Sequence, residues 1–188
     1  AKEQTAARGR FSRQWYSPQG GLWFSFLLKP DIALEKISQI TVLTSVGIIN
    51  ALKKERIFLK IKWPNDIVFI DKDGSFKKVA GILTETIVKN RKLEYIATGI
   101  GINVNNLLNE ELSFSAINLK EIIKHKLSID ATFKNLLEEL NNLYKEYKLY
   151  GIEEMLKKYK ELSILTGKNI KINNGKKEYQ GTVLGIDN

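Results

Sequence analysis

The sequence predicts an α+β protein in which a mixed or antiparallel sheet carries helices packed on one face. Strand-like runs dominate as far as about residue 104, and helical periodicity takes over after residue 115. Strands and helices do not alternate regularly, as they would in a parallel α/β sheet. Alternation typical of strands returns from about residue 164, which predicts a small separate β unit at the C-terminus.

The strands are predicted from short apolar runs bounded by turn residues. "LWFSFLLK", residues 22–29, is aromatic and aliphatic, as in a buried strand. "IFLKIKW" and "DIVFI" predict strands on either side of Pro64. "DKDGS", residues 71–75, predicts a turn into a strand over about 77–88, and "LEYIATGIGINV" predicts another strand.

Three segments have a helical period. Apolar residues recur at helical spacing over residues 34–54. Gly151 separates a long later helix from a short one that carries Met155, Leu156 and Tyr159. The long helix has an apolar stripe predicted to cover the sheet, formed by Phe133, Leu136, Leu137, Leu140, Leu143, Tyr144 and Tyr147.

Composition narrows the classes of protein and site. The 188 residues fit one domain, or one domain with a small appendage, and 43% of them are hydrophobic. The absence of Cys excludes disulfides and Cys-based zinc sites, and a single His argues against a Ser-His-Asp triad. No apolar run approaches the roughly 20 residues of a membrane-spanning helix. These features agree with a cytoplasmic protein.

The net charge of +9 allows two interpretations. Most Lys residues are interleaved with Glu, as in "EEMLKKYKELS", which is typical of solvated helix faces. A basic surface also attracts nucleic acid, nucleotides or an acidic protein partner. A non-enzymatic module that binds nucleic acid therefore stays an alternative from a different functional class.

An Arg cluster near the N-terminus indicates an anion site. Only five of the thirty basic residues are Arg, and three of these, Arg8, Arg10 and Arg13, lie within six positions. A guanidinium holds carboxylate or phosphate through two parallel hydrogen bonds, whereas Lys offers a point charge. Gly9 beside them lets the backbone approach a ligand. A solvated basic loop is the competing interpretation.

"KWPND", residues 62–66, places polar residues between two apolar strands. Pro64 favours an extended Trp63, so Asn65 and Asp66 are expected at the mouth of the sheet. They could cap their own turn. Alternatively, Asp66 contacts a ligand or Mg²⁺, since Mg²⁺ bridging phosphates usually takes one or two carboxylates.

"KKVAGILTE", residues 77–85, predicts a central strand with a lysine at its entrance. Strict alternation places Lys78 on one face with Ala80, Ile82 and Thr84, and Gly81 on the other. An incompletely solvated Lys78 beside a glycine is a candidate for binding an anion. A structural Lys that snorkels to water is the alternative.

"GIGIN", residues 99–103, predicts a strand with an open strip. Gly99 and Gly101 point the same way and leave room for a flat ring. Asn103 follows on the same face, and its amide can bind a base or a carbonyl. A β-bulge is the alternative explanation of the glycines.

Together these four segments, in this order, resemble the biotin protein ligases. The residues that carry the resemblance are "QTAARGR" with "RQWYSPQGGLWFSFLL", then "KWPNDI", "KKVAGILTE" and "GIGINV". The tail "TGKNIKI...GTVLGID" resembles the small SH3-like C-terminal domain of that family. The resemblance implies a catalytic domain over 1–163 and the start of an SH3-like β-barrel over 164–188. It also suggests that the family's N-terminal part is missing here.

The resemblance implies a ligase that uses biotin, ATP and Mg²⁺. Biotin and ATP would form biotinyl-5′-AMP, and biotin would then pass to a lysine of a biotin carboxyl carrier protein. No DNA-binding domain is expected in this sequence, and a homodimer is compatible with the family. A lipoate or octanoate ligase or transferase of similar fold is the nearest alternative.

The resemblance also assigns residues, with Lys78 and Arg10 as catalytic and Asp66 as the Mg²⁺ contact. The residues implied for biotin are Gln4, Arg8, Gly9, Arg10, Lys78, Gly81, Gly99 and Gly101. Those implied for ATP are Arg8, Arg10, Arg13, Trp15, Asn65, Asp66, Lys78 and Asn103. Ala7 replaces a family glycine, and the residue that stacks on adenine is left open near Phe114 and Ala116.

Overall fold

A computed structural model describes residues 1–90, 92–173, 175 and 177–186. The strands in these ranges are β1 Leu22–Leu28, β2 Lys60–Lys62, β3 Asp66–Ile70, β4 Phe76–Lys89, β5 Lys92–Ile102, β6 Asn169–Asn173 and β7 Glu178–Thr182. The helices are α1 Ser38–Lys53, α2 Glu110–Ser113, α3 Leu119–Ile123, α4 Ile129–Tyr150 and α5 Glu153–Leu162. The predicted α+β class is confirmed. No helix among the described residues is both long and apolar enough to cross a bilayer.

Strands β1 to β5 form an antiparallel sheet in the spatial order β1, β5, β4, β3, β2. The central position predicted for β4 is confirmed, and Gly81 of β4 lies opposite both Gly101 of β5 and Asp66 of β3. Each strand is buried on the face that packs against helices. The three central strands therefore bring their motifs side by side on the other face.

The pairing of β3 with β4 contains one irregularity. Ile67 lies opposite Ala80, but the next residue, Val68, lies opposite Lys78. Val79 is thus the extra residue of a β-bulge, which shifts the side-chain alternation on β4 by one position.

The turn between β3 and β4 is a tight hairpin, as "DKDGS" predicts. The Gly74 N–H donates to the Asp71 carbonyl at 3.0 Å, and Gly74 has a φ of 82°, which favours glycine. Hydrogen bonds from the Ser75 hydroxyl and backbone N–H lower the pKa of the Asp73 carboxyl. The acidic residues of this turn thus stabilise the hairpin itself.

Helix α1 lies between the sheet and α4. Its buried apolar residues point both ways, and they are Ile40, Leu43, Val46, Ile48, Ile49 and Leu52. A Cβ at Gly47 would lie 2.6 Å from Leu140 Cδ2, so glycine here lets α4 approach α1 closely. The predicted stripe of α4 therefore packs mainly on α1, not on the sheet. Phe133 does reach β1, where its ring meets Phe24 edge-on at 5.0 Å.

The C-terminal segment forms a β-hairpin, in which β6 and β7 pair antiparallel from Asn169 opposite Thr182 to Asn173 opposite Glu178. This hairpin agrees with the start of an SH3-like domain. Asn174 of the predicted Asn-Gly turn lies outside the described residues, while Gly175 has a φ of 84°. A link to the main sheet comes just before β6, where the Ile164 N–H donates to the Ile61 carbonyl at 2.9 Å.

We expect Leu136→Ala to destabilise the protein by about 2–5 kcal/mol, because Leu136 is 1% exposed between α4 and α1 and its truncation leaves a cavity. Leu149→Ala on the same helix is the control, since Leu149 is 73% exposed, and it should cost less than about 0.5 kcal/mol. Urea unfolding of both variants measures the difference. Equal losses would contradict the packing of α4 described above.

Candidate active site

A cleft of about 1210 Å³ opens over the sheet on the face away from α1. Thr84 of β4 defines the opposite face, because its hydroxyl meets that of Thr41 in α1 at 2.9 Å. The residues predicted for the site all line the cleft: Gln4, Arg8, Gly9, Arg10, Arg13, Trp15, Asn65, Asp66, Lys78, Gly81, Gly99, Gly101 and Asn103. The fold brings four distant segments together, while the role of each residue stays a prediction.

Lys78 lies in the cleft, but on a different face from the one predicted. Its Nζ would be 3.2 Å from a Cβ on Gly81, so Lys78 and Gly81 share the cleft side of β4. The predicted grouping of Lys78 with Ala80, Ile82 and Thr84 is wrong. The bulge at Val79 is the reason, because the extra residue reverses the alternation between Lys78 and Gly81.

The Lys78 ammonium and backbone are both held in place. Nζ lies 2.6 Å from Asp66 Oδ1 and 4.8 Å from the centre of the Trp15 ring. The Lys78 N–H donates to the Ser115 carbonyl at 2.8 Å, and its carbonyl accepts from the Ile117 N–H at 3.0 Å. The side chain is 30% exposed. A positive charge is thus fixed at the wall of an open cleft.

The glycine strip is covered in part by Trp15. A Cβ on Gly101 would lie 2.6 Å from Trp15 Nε1, and one on Gly81 would lie 3.0 Å from Trp15 Cζ3. A Cβ on Gly99 would approach no atom closer than 3.5 Å, the nearest being Ser25 Oγ. Glycine is therefore needed at 81 and 101 for the indole, and Gly99 borders the open part of the strip.

Trp15 itself leaves a hydrogen bond unmade. Its Nε1 is buried and finds no acceptor among the described residues. A buried N–H without a partner is costly, and because this one packs against Gly101, a ligand reaches it only if the indole moves. Trp15 also contacts Trp23 edge-on, with ring centres 6.4 Å apart.

The turn between β2 and β3 is tied to β4 through Asn65. The Asn65 amide donates to the Ile82 carbonyl at 2.6 Å, and the Ile82 N–H donates back to the Asn65 carbonyl at 3.0 Å. The sequence allowed the Asn65 and Asp66 side chains either to cap their own turn or to contact a ligand. In the structure, Asn65 bonds the neighbouring strand β4 and Asp66 bonds Lys78. Neither side chain caps its own turn.

Tyr159 supports the same turn from α5, a contact that the sequence did not predict. Its hydroxyl donates to the Pro64 carbonyl at 3.1 Å. Burial, together with the negative charge of Asp66, raises the pKa of the Tyr159 phenol, so it stays protonated and donates. A buried tyrosine usually has a hydrogen-bond partner, but its identity depends on the fold.

The segment from Gln4 to Ser17, here named the Arg loop, is a small hairpin over the cleft. Gln4 pairs with Ser17 and Arg8 with Gln14, and the Gly9 N–H donates to the Arg13 carbonyl at 2.7 Å. Phe11 and Ser12 at its tip have φ of 57° and 56°, which is uncommon for residues with a side chain.

The three guanidinium groups of this loop have different partners. Arg8 Nη2 lies 2.9 Å from Glu85 Oε1, and Arg10 Nη1 donates weakly to Asn65 Oδ1 at 3.3 Å. Among the described residues, no hydrogen bond or ion pair of the Arg13 side chain is found. Glu85 was not predicted, although two-residue alternation from Gly81 places it on the cleft face.

The cleft suits anions and a phosphate-bound Mg²⁺. Arg8, Arg10, Arg13 and Lys78 outnumber the acidic residues that face them, of which Asp66 and Glu85 are already paired. Within the described ranges, no three His, Cys, Asp or Glu side chains cluster around a metal position. Mg²⁺ in phosphate sites is held largely by the phosphates with one or two carboxylates, a donor set that Asp66 can complete.

Asn103, which the family resemblance assigns to adenine, is buried and oriented. It is 3% exposed, and its Oδ1 accepts from Asn106 Nδ2 at 3.1 Å. Phe114 lies at the rim of the cleft and is 85% exposed. An aromatic ring is thus present where the sequence left the stacking residue open.

Comparisons with known proteins agree with this geometry. The model of the biotin/lipoate A/B protein ligase family matches residues 1–103. The chain is 33% identical over 192 residues to the bifunctional ligase/repressor BirA of Bacillus subtilis strain 168, covering all of this chain and 58% of that protein. The chain therefore spans little more than half the length of that relative.

Solved structures show the same fold. The chain superposes on a biotin protein ligase from Aquifex aeolicus, solved in complex with biotin and ATP, with a TM-score of 0.85 and 30% identity. That match covers 99% of this chain and 76% of the other. A bipartite lipoate protein ligase from Thermoplasma acidophilum shares the fold at a TM-score of 0.54 and 15% identity. Since the family model matches more than half of its residues, this chain belongs to the biotin/lipoate A/B protein ligase family.

Proposed function

We propose that this chain carries the catalytic core of a biotin protein ligase. The observation that carries the proposal is the position of Lys78, whose ammonium projects into a cleft beside Gly81 and beneath a loop with three Arg residues. Such an arrangement suits a reaction in which a carboxylate meets a phosphate. The Bacillus and Aquifex proteins of similar sequence both bear the name of a ligase, and the Aquifex structure contains biotin and ATP.

In the first step, a carboxylate oxygen of biotin attacks the α-phosphorus of ATP. A new C(O)O–P bond forms, the bond from the α-phosphorus to the bridging oxygen breaks, and pyrophosphate leaves with that electron pair. Both reactants are anions, so fixed positive charges must offset their repulsion and stabilise the charge that builds on the phosphoryl oxygens.

Lys78 is the residue proposed to contact both the biotin carboxylate and the α-phosphate. Asp66 holds the ammonium at 2.6 Å and directs it into the cleft. Arg10 is proposed to bind the acyl phosphate, and it faces the same turn through Asn65. Gln4, Arg8 and Gly9 complete the biotin side, where Gly99 leaves room for the ring system.

ATP is proposed to lie between the Arg loop and the end of β5. Arg13 would face the phosphates, and Trp15 would close the loop on the nucleotide. Asn65 and Asp66 would lie beside the phosphates, and Asn103 would bind adenine. A Mg²⁺ bound to ATP, with Asp66 as protein ligand, would neutralise part of the phosphate charge.

In the second step, the ε-amine of a lysine on a biotin carboxyl carrier protein attacks the carbonyl of biotinyl-5′-AMP. The C–N amide bond forms, the C–O bond of the anhydride breaks, and AMP leaves while the amine loses a proton. The openness of the cleft supports this step, since a protein partner must reach the anhydride.

We further propose that 1–163 is the catalytic domain, that 164–188 begins an SH3-like domain, and that the protein works in the cytoplasm.

Biotin must be distinguished from lipoate, because the family includes ligases for both. Calorimetric titration with biotin and then lipoate, each with and without MgATP, makes the distinction. We expect biotin to bind, and to bind more tightly with MgATP. Tight binding of lipoate alone would replace the proposal by a lipoate ligase, and binding of neither acid, with salt-dependent binding of nucleic acid instead, would favour the non-enzymatic alternative.

Lys78→Ala should slow formation of biotinyl-5′-AMP by roughly 10²–10³-fold, the usual effect of losing a preorganised donor in a transition state. The fold and part of the biotin affinity should remain, and supplied biotinyl-5′-AMP should partly restore transfer to the carrier. Single-turnover release of pyrophosphate is the measurement. Lys77→Ala is the control, because Lys77 does not line the cleft. A defect in Lys77→Ala alone would refute the assignment.

Arg10→Lys should lower kcat/KM by more than about tenfold although the charge is kept, because an ammonium cannot form two parallel hydrogen bonds to one anion. Steady-state pyrophosphate release measures this. Arg56→Lys serves as the control, because Arg56 is exposed just after α1 and does not line the cleft. If Arg10→Lys had wild-type kinetics, Arg10 would contribute bulk charge only.

Biotin and MgATP together should protect residues 6–16 from trypsin. Three Arg side chains of like charge sit in a loop whose tip is exposed, and a bound anion would bridge them. Cleavage after Arg10 and Arg13 should slow, whereas cleavage at exposed Lys171 in the C-terminal hairpin should not change. Equal cleavage of the loop with and without ligands would argue against an ordered, ligand-bridged loop.

A further inference from the structure

Tyr159 lies outside the four motifs that predicted the site and outside the residues 1–103 matched by the family model. It lies on α5, is 1% exposed, and packs its ring in the main hydrophobic core. Its hydroxyl nevertheless reaches the turn that precedes Asp66, where it donates to the Pro64 carbonyl at 3.1 Å. A side chain from a late helix thus contacts the segment that bears two predicted site residues.

This contact belongs to a wider attachment of β2 and its turn to the end of α5. Lys60 Nζ donates to the Glu161 carbonyl at 3.4 Å, and the Ile61 carbonyl accepts from the Ile164 N–H at 2.9 Å. Among these bonds, the one from Tyr159 lies nearest in sequence to Asp66. The turn is therefore held from two sides, by α5 through Pro64 and by β4 through Asn65.

The position of the turn determines the position of Lys78. Asp66 follows Pro64 by two residues, and its carboxylate bonds the Lys78 ammonium at 2.6 Å. Lys78 has a long flexible side chain, so its ammonium depends on such a partner for its direction. A turn that moved by a fraction of an ångström would carry the Asp66 carboxylate, and with it the ammonium, away from the cleft position.

We propose that Tyr159 is a positioning residue for the adenylation step, which it serves by holding the Pro64 carbonyl so that Asp66 directs Lys78 into the cleft. The proposal rests on the proposed function, because it assigns to that reaction a residue that touches neither substrate. It predicts an effect on the rate of adenylation, with little effect on the binding of biotin or on the later transfer.

Tyr159→Phe is the test, since it removes the hydroxyl and keeps the ring. The matched control is Tyr147→Phe, because Tyr147 is also buried and donates one hydrogen bond, to Gln39 Oε1 at 2.9 Å, but between α4 and α1 away from the cleft. Both variants lose one partly buried hydrogen bond. A positioning role for Tyr159 would therefore slow adenylation in Tyr159→Phe but not in Tyr147→Phe.

We expect Tyr159→Phe to lower kcat for biotin-dependent pyrophosphate release roughly tenfold to a hundredfold, as small misplacements of catalytic groups do. The KM for biotin and the transfer from supplied biotinyl-5′-AMP should stay within about twofold of the wild type, because neither depends on the transition state of adenylation. Tyr147→Phe should match the wild type in all three measurements. A Tyr159→Phe rate equal to that of Tyr147→Phe, or an equal loss in both steps, would overturn the proposal.

Hydrogen exchange in the ligand-free proteins gives a second measurement that needs no substrate. The backbone amides of residues 65–68 should exchange faster in Tyr159→Phe than in Tyr147→Phe, because the turn loses an anchor. Slower adenylation with unchanged exchange would also overturn the proposal. If the wild type released no pyrophosphate with biotin, the proposed function would fail, and exchange would still decide whether Tyr159 holds the turn.

Discussion

The site depends on a β-bulge in the sheet. Val79 is an extra residue of β4 at the point where β4 pairs with β3. In a regular strand, Lys78 would share the face of Ala80 and point toward α1, where an unpaired ammonium would be buried at high cost. The bulge instead turns Lys78 to the cleft side, beside Gly81. Bulges beside active sites commonly redirect a side chain in this way.

Two ion pairs orient basic side chains in the cleft. Lys78 pairs with Asp66, and Arg8 pairs with Glu85 although both side chains of the latter pair are largely exposed. Exposed ion pairs contribute only about 0–1 kcal/mol, so a substrate anion can replace Glu85 beside Arg8 at small cost. The pair of Lys78 with Asp66 is less exposed, and there the carboxylate keeps the ammonium directed into the cleft.

The glycines of the cleft make room for the Trp15 indole as well as for the proposed ligands. Gly81 and Gly101 lie opposite each other on β4 and β5, and the Trp15 indole rests on both. This contact and the Arg8–Glu85 ion pair anchor the Arg loop to the sheet, while the tip at Phe11 stays exposed. A loop held at its base and free at its tip suits the proposed reaction, in which the site would exclude water and later admit a protein.

The sequence alone determined the α+β class and the order of the elements, because these depend on local periodicity and turn residues. The prediction for "DKDGS" succeeded for the same reason, since Gly74 and Asp73 stabilise that hairpin from within. The cleft residues came from the chemistry of four motifs together with the family resemblance, and Glu85 was missed. Only the tertiary structure decided the face of Lys78, since a bulge depends on how two strands pair and leaves little trace in the alternation of one. It alone also decided that Tyr159 supports Pro64, 95 residues away, because a buried hydroxyl finds its acceptor only after the helix has packed.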